Sequence, residues 1–398
     1  STLRLIWFTT WQAAVSTAVA LLVGLPGAWA FARMRWRGRD TAWALLVIPF
    51  VLPTVVVGVA IVQVAGADGP LGWAASGLGL DGGEPLQVRG TRWGVILAHV
   101  FFNVAVVIRT VGLAWGRLDP RLEEAAAVLG AGRLTTVRKV TLPLLAPSIV
   151  AAASIVYLFC FTSFGAVLVL GASRVRTIEV EIYERSRSLD LGGGSVLAIV
   201  QLAVVLVLIA IAGGVQRRWS RALVHRDVSV TARRPRGAER AVLAGVLGSL
   251  ALLLAVPPVT LVARSLRTSE GWGLVYYRAL GTLHEGSVLH APPTEALRTS
   301  LVTASAATAI ALVVGGLASV GLAVLERRGQ EAAGRPASRS RFVRAGREGA
   351  GQGGSPAGRP GVASALDALL MVPLGTSAVT IGFGFVVAMR SGPVDLRG

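Results

Sequence analysis

The stretch from residue 93 to residue 147 decides the fold. It opens with WGVILAHVFFNVAVVIRTVGLAWG (93–116), whose only charged residue is Arg109, and continues after Arg117 with LDPRLEEAAAVLGAGRLTTVRKVTLPLLAP (118–147). About 20 mostly apolar residues are enough for a helix to cross a bilayer. The first part therefore predicts a membrane-spanning helix, and the second predicts a polar connection on one side of the membrane.

Apolar runs of this length recur along the 398 residues. They lie at Leu5–Ala32, Thr41–Ala67, Trp93–Gly116, Val140–Ser173, Leu191–Gln216, Ala241–Ala263, Thr299–Leu325 and Ala368–Met389. Hydrophobic residues make up 53% of the chain and charged residues only 15%, whereas about a quarter of the residues in a soluble domain are charged. The sequence predicts an all-α polytopic membrane protein with about eight transmembrane helices.

The distribution of positive charge predicts the orientation of these helices. The connections at 33–40, 117–139, 216–240 and 326–362 are rich in arginine, whereas those at 66–92, 171–190 and 264–298 carry fewer basic residues. Because cytoplasmic loops carry the excess of Lys and Arg, the richer set is predicted to face the cytoplasm of a bacterial plasma (inner) membrane. The net charge of +18 then meets the anionic headgroups of the lipid bilayer. No nucleic-acid partner is predicted, because the arginines are spread over alternate loops.

The scarcity of lysine and cysteine excludes several kinds of site. Lys139 is the only lysine and lies between Arg138 and Val140, so the Gly-Lys-Ser/Thr sequence of a phosphate-binding loop is absent. Cys160 is the only cysteine, which excludes a multi-cysteine metal site within the chain. We predict no catalytic residue, no metal site and no cofactor bound by this chain, and hence a protein that is not an enzyme.

The connection 118–147 has helix start and stop signals. Asp119 is a good N-cap, Pro120 suits the first helical position, and Gly130 favours a helix end. These signals predict a short helix outside the bilayer. A second short helix is predicted to follow and to end at Leu142-Pro143.

The spacing within this connection resembles a known motif. Glu124-Ala125-Ala126, three residues, Gly130, nine residues, Val140, one residue and Leu142-Pro143 resemble the EAA loop of binding-protein-dependent ABC importer permeases. The resemblance implies the type I ABC importer transmembrane fold. It also implies that Glu124, Ala125, Ala126, Gly130, Leu142 and Pro143 couple the chain to separate ABC ATPase subunits, which hydrolyse the ATP.

Three further segments are similar to the thiamine/iron(III) branch of these permeases, in which two permease halves are often fused. They are HVFFN (99–103), FTSFGAVL (161–168) and TIEVEIY (177–183). This similarity implies that thiamine or ferric iron is the solute and that an extracytoplasmic solute-binding protein delivers it.

A faint internal repeat agrees with a fusion of two halves. Ile48-Pro49 and Val372-Pro373 each precede a glycine that lies nine residues after the proline. We expect a first half at 1–216 without its first helix, a basic cytoplasmic linker at 217–240 and a truncated second half at 241–398. The second half would contain a disordered insertion at 329–361, and the chain would be a fragment of a longer protein.

The remaining polar residues allow more than one interpretation. His99 and Asn103 share a helix face and, with Ser163, either line a translocation path or bond neighbouring helices, which is the favoured interpretation. Glu179, Glu181 and Glu184 either dock a binding protein, attract a cationic substrate or form a solvated face. An ion-driven secondary transporter and a membrane-embedded enzyme stay open as alternatives, although no Asp or Glu lies within a predicted span.

Overall fold

The computed structural model describes residues 2–79, 88–172, 174–219, 232–282, 292–332 and 378–389, and these are almost entirely helical. The first helices are α1 (Thr2–Arg33), α2 (Arg39–Leu45), α3 (Ile48–Val51), α4 (Thr54–Ala65), α5 (Pro70–Gly77), α6 (Arg92–Gly116), α7 (Arg121–Val128), α8 (Arg133–Thr136) and α9 (Leu142–Phe161). They are followed by α10 (Gly165–Gly171), α11 (Ile178–Arg187), α12 (Leu191–Trp219), α13 (Ala238–Leu266), α14 (Val275–Arg278), α15 (Pro293–Ala332) and α16 (Ala378–Met389).

Seven helical segments in the described residues are long and apolar enough to cross a membrane. They are Thr2–Arg33, Thr54–Gly77, Arg92–Gly116, Arg133–Phe161, Leu191–Ile211, Ala238–Leu266 and Pro293–Gly321. Each corresponds to one of the predicted spans, so the all-α polytopic membrane fold is confirmed. The eighth predicted span, 368–389, is described only from Ala378 onward, where it is helical.

The second predicted span is not one helix, as the sequence analysis expected. Within Thr41–Ala67 the chain forms α2, α3 and α4, and it is extended at Leu52 (ψ 135°) and Pro53 (ψ 134°). Proline lacks a backbone N–H and disfavours the helical conformation in the residue before it. Pro53 therefore ends α3 at Val51, and α4 restarts at Thr54.

The predicted span Val140–Ser173 is also divided. Helix α9 ends at Phe161, and α10 begins at Gly165, after a short break. Helix α10 packs closely on α4, because a Cβ atom at Gly58 would lie 3.0 Å from Cβ of Val169, and one at Gly165 would overlap Thr54. The run of apolar residues continues through the break, which is why hydropathy alone does not show it.

Helices α1 and α6 run parallel and form the centre of the bundle. Small residues allow the two backbones to approach, since a Cβ atom at Gly24 would lie 2.6 Å from Cγ1 of Val107, and one at Gly27 would lie 2.7 Å from Cδ1 of Ile108. Close packing through small residues is how membrane helices associate, because lipid supplies no hydrophobic force between them. The two helices extend from the end of the bundle where Thr2 and Arg92 lie to the loop that follows α6.

The described chain divides into two compact units. One comprises Ser1–Val262 with Leu374–Gly398 and contains α1–α12, most of α13, and α16; the other comprises Ala263–Pro373. The second unit contains a two-stranded antiparallel hairpin, β1 (Arg267–Thr268) and β2 (Gly271–Trp272), followed by α14 and α15. Helix α15 continues to Ala332, four residues into the predicted disordered insertion, and the rest of that insertion lies outside the described residues. Residues 220–231 of the predicted linker also lie outside them, so the division into two permease halves stays a prediction.

Candidate functional site

The loop after α6 contains a short helix with well-formed ends. The N–H of Arg121 donates to Oδ1 of Asp119 at 3.0 Å, as expected for a capping side chain. At the other end Gly130 adopts φ +82°, and the N–H of Ala131 donates to the carbonyl of Ala126 at 3.0 Å. With the bond from Gly130 N–H to the Ala127 carbonyl, this is a Schellman motif. The predicted stop at Gly130 is confirmed, whereas α7 begins at Arg121, one residue after the predicted first position, with Pro120 at the N-cap.

The second helix of the loop is longer than the sequence analysis predicted. It does not end at Leu142-Pro143, because Arg133–Phe161 is one continuous helical segment. Residues Val137–Thr141 form a π-helical turn immediately before Pro143. A π-helical turn changes the hydrogen bonding ahead of the proline, whose ring would otherwise clash with the carbonyl four residues earlier. The loop segment from Arg133 onward is therefore helically continuous with a candidate membrane-spanning helix.

Glu123 attaches α7 to the two neighbouring helices. Its Oε1 accepts hydrogen bonds from Nη2 of Arg33 at 3.1 Å and from Oγ1 of Thr141 at 3.0 Å. Arg33, at the end of α1, also donates to the Leu118 carbonyl at 3.4 Å, and its side chain is only 8% exposed. We call Arg33, Glu123 and Thr141 the anchor cluster. The motif comparison did not single out Glu123, because its partners Arg33 and Thr141 lie on other elements.

The rest of α7 is exposed and carries both charged and apolar side chains. Only Glu123 and Ala126 of the helix are partly buried. Val128 and Leu129 are each 88% exposed, and Leu122 and Leu134 are exposed beside them. Glu124 and Ala125 of the motif are also exposed, as is Gly130, whereas Leu142 and Pro143 lie at the start of α9. Exposed apolar side chains clustered on a loop between spans mark an interaction surface.

The end of the predicted linker 217–240, which precedes and enters α13, lies beside this loop. The N–H of Arg233 donates to the Arg33 carbonyl at 3.0 Å, and the N–H of Arg35 donates to the Arg233 carbonyl at 2.8 Å. Both terminal nitrogens of Arg233 bond to Glu239 at 2.7 Å, and Arg133 of α8 lies 3.7 Å from the same carboxylate. The hydrogen bond to Glu239 raises the pKa of Arg233 above its ordinary value. The linker thus connects α13 to the ends of α1 and α8.

His99 and Asn103 lie inside the bundle, where they bond neighbouring helices. Nδ1 of His99 lies 3.2 Å from Oγ of Ser16 on α1, and Nδ2 of Asn103 donates to Sγ of Cys160 on α9 at 3.4 Å. Ser163 is buried in the break between α9 and α10. These contacts fit the helix-bonding interpretation, and a role in lining a path stays a prediction for these three residues.

The three glutamates of α11 differ in their surroundings. Glu179 is fully buried, and its Oε1 accepts hydrogen bonds from Gln201 of α12 and from Thr380 of α16. Its burial does not fit the docking role, the substrate-attracting role or the solvated face that the sequence suggested. Glu181 is paired with two arginines, Arg176 at 3.5 Å and Arg185 at 3.1 Å. Glu184 is partly exposed and stays a predicted docking residue.

The chain matches a family model and is similar to several transport proteins. The model is that of the binding-protein-dependent transport system inner membrane component, and it matches residues 19–225. The sulfate transport system permease protein CysT of Salmonella typhimurium is 33% identical over 50% of this chain and 72% of its own length. A probable molybdenum ABC transporter permease protein of Haloferax volcanii is 35% identical over 51% and 72% of the two chains.

Two further matches cover less or are more distant. The thiamine transport system permease protein ThiP of Brucella abortus is 30% identical over 52% of this chain but only 38% of its own length. The crystal structure of a bacterial ABC transporter involved in the import of alginate aligns with a TM-score of 0.48 and 20% identity, covering 54% of this chain and 79% of the other. The family match extends across α6, α7 and α9, the helices that build the site. The chain therefore belongs to the binding-protein-dependent transport system inner membrane components, the permease family of ABC importers.

Proposed function

We propose that the chain forms the transmembrane path of an ATP-driven importer and transmits the movements of separate ABC ATPase subunits through loop 118–147. An extracytoplasmic binding protein would deliver the solute to this path. Family membership supports this proposal over the ion-driven transporter and the membrane-embedded enzyme. In this proposal the halves 1–216 and 241–398 contribute to one path.

The observation that carries the proposal is the exposure of two large apolar side chains at the end of α7. Val128 and Leu129 are almost fully exposed on a loop outside the predicted spans. Burying such side chains in a groove of a partner gives about 1.5–3 kcal/mol for each of them. An ATPase subunit that presents an apolar groove on the cytoplasmic side fits this surface.

The anchor cluster explains how a movement of α7 would reach the membrane. A displacement of α7 pulls or pushes Glu123, which bonds to Arg33 on α1 and to Thr141 on the segment that continues as α9. The segment Arg133–Phe161 has 29 residues and, at 1.5 Å per residue, is about 44 Å long. ATP binding by the partner would bias the bundle between inward-open and outward-open states through these two helices.

Several solutes are proposed as candidates for transport by this chain. Sequence similarity implied thiamine or ferric iron, and a thiamine permease is among the relatives. Sulfate and molybdenum permeases match a larger share of their own length, so they are candidates of equal standing. The bound ligand of the companion binding protein, identified by mass spectrometry after native purification, would decide between them.

Co-purification tests the proposed coupling surface. Val128→Asp and Leu129→Asp place a carboxylate on the exposed face of α7 and should abolish co-purification of the ATPase encoded beside this chain. Leu189→Asp is the matched control, because Leu189 is 79% exposed on the other side of the membrane and adopts φ +60°, which Asp tolerates. Retention of the ATPase by both loop variants would overturn the proposal.

A further inference from the structure

The extracytoplasmic end of the bundle has an arginine-lined recess. Its volume is about 470 Å³, and its charged lining residues are Arg4, Arg92, Arg174, Arg176, Arg185 and Glu181. They come from the starts of α1 and α6, from the segment before α11 and from α11 itself. Five guanidinium groups therefore face one recess that contains a single carboxylate.

That carboxylate is already engaged. Glu181 pairs with Arg176 at 3.5 Å and with Arg185 at 3.1 Å, and Arg185 also lies 3.4 Å from Asp190. In the part of the chain that the structure describes, no carboxylate oxygen lies within 4.0 Å of the guanidinium groups of Arg4, Arg92 or Arg174. We call these three residues the free arginines.

One of the free arginines is held in place by an aromatic ring. The guanidinium carbon of Arg92 lies 5.8 Å from the ring centroid of Trp11 on α1. This cation–π contact orients the guanidinium group while leaving its N–H donors available to another acceptor. The recess thus contains at least one positive group that is preorganised rather than mobile.

These arginines lie on the side of the membrane where the rest of the chain carries fewer basic residues. The anchor cluster joins the end of α1 to the cytoplasmic loop, so Arg4 and Arg92, at the starts of two parallel helices, lie at the other side of the membrane. Membrane proteins place their basic residues mainly in cytoplasmic loops, and the negative lipid potential acts mainly on the cytoplasmic leaflet. Topology and lipid therefore do not account for arginines gathered at this end.

We propose that the arginine-lined recess is the docking site for acidic side chains of the extracytoplasmic binding protein. The inference rests on the proposed function, and it reverses the sequence-based expectation that glutamates of α11 meet basic residues of that protein. The planar guanidinium group binds a carboxylate with two parallel hydrogen bonds, and arginine is enriched among interface residues that contribute most to binding. An open recess with basic groups on separate helices admits protruding Asp or Glu side chains from a protein surface.

The binding affinity of the companion protein tests the recess. The complete importer, assembled with its ATPase in nanodiscs, is titrated with the purified, fluorescently labelled binding protein. We expect Arg92→Gln and Arg174→Gln each to weaken Kd about three- to tenfold, and the triple variant that also carries Arg4→Gln to weaken it at least thirtyfold. The dependence of Kd on salt concentration should also become shallower in the triple variant.

Three comparisons make the result interpretable. Arg89→Gln is the matched control, because Arg89 is exposed in the connection before α6 but does not line the recess. Arg174→Lys retains the charge but cannot make the two parallel hydrogen bonds of a guanidinium group, and it should give an intermediate Kd. A misfolded variant would not give an intermediate Kd. ATPase co-purification with every variant reports on the proposed function independently.

Two results would overturn the inference. One is a triple variant that binds the protein as tightly as Arg89→Gln. The other concerns sulfate or molybdate, whose binding to the importer is measured by calorimetry without the binding protein. If the triple variant loses this binding while its affinity for the binding protein is unchanged, the recess receives a free oxyanion instead. Failure of the wild-type chain to retain any ATPase would instead remove the proposed function.

Discussion

Replacing Glu123 by Gln should loosen the attachment of α7 to α1 and α9. The variant keeps an oxygen that can accept from Thr141 but removes the negative charge opposite Arg33, whose side chain is 8% exposed. Hydrogen bonds to charged groups contribute about 1.5–3 kcal/mol and neutral ones about 0.5–1.5 kcal/mol. Since the Glu123 side chain is 35% exposed, solvent offsets part of the loss, and we expect the free energy of unfolding to fall by about 1–2 kcal/mol.

Thermal unfolding of the purified permease, without its partners, measures this effect. A loss of about 1–2 kcal/mol in a protein of this size lowers Tm by about 1–2 °C. In the assembled importer the same variant should retain the ATPase but take up less solute for each ATP hydrolysed, because a loosened α7 moves without moving α1 and α9. Uptake and phosphate release are therefore measured in the same proteoliposomes.

Glu124→Gln is the matched control for this experiment. Glu124 is the neighbouring carboxylate, it is exposed, and it has no ion pair among the described residues. The Tm of this variant should stay within about 0.5 °C of the wild-type value, whereas its affinity for the ATPase should fall. Equal Tm values for wild type, Glu123→Gln and Glu124→Gln would refute the anchoring role of Glu123.

Three further substitutions have outcomes that follow from local geometry. Gly130→Ala should lower the free energy of unfolding by about 1 kcal/mol and Gly130→Asn by less, measured by Tm, because φ is +82° and a Cβ atom would meet no neighbour within 4 Å. Gly24→Leu should prevent folding of the α1–α6 pair, and Val107→Ala should partly restore monodisperse protein in detergent, because the clash at 2.6 Å is with the Val107 side chain. Arg133→Gln should change Tm by less than about 2 °C, since Arg133 is 89% exposed and lies 3.7 Å from Glu239; a larger loss would show that this exposed pair carries structural weight.

The spans were predictable from the sequence because hydropathy is a local property, whereas the breaks within them depend on packing. Pro53 is visible in the sequence, yet a proline within an apolar run either kinks a helix or ends it. Here the proline ends α3, and the next helix, α4, packs on α10. The break after Phe161 carries no charge and no proline, so only the contacts of α10 reveal it.

The loop was predictable in its ends but not in its attachments. Asp119 and Gly130 act within a few residues: Asp119 accepts from the N–H of Arg121 just before the helix, and the structure confirms the stop at Gly130. Glu123 instead pairs with Arg33, 90 positions earlier in the chain, and a single sequence without related sequences contains no signal of that pairing. The burial of Glu179 could not be predicted for the same reason, since the side chains that contact its carboxylate come from α12 and α16.

Anchoring and docking in α7 follow from one helical register. Adjacent residues of an α-helix point about 100° apart, so the rotation that turns Glu123 toward Arg33 turns Glu124 toward the solvent. The same rotation leaves Val128 outside and places Ala126, three residues after Glu123, on the inner face. Because Asp119 fixes the start of the helix and Gly130 fixes its end, the register cannot slip without losing a cap. A partner that displaced α7 as a rigid body would therefore displace Glu123 with it, and Glu123 bonds to Arg33 of α1 and to Thr141 before α9.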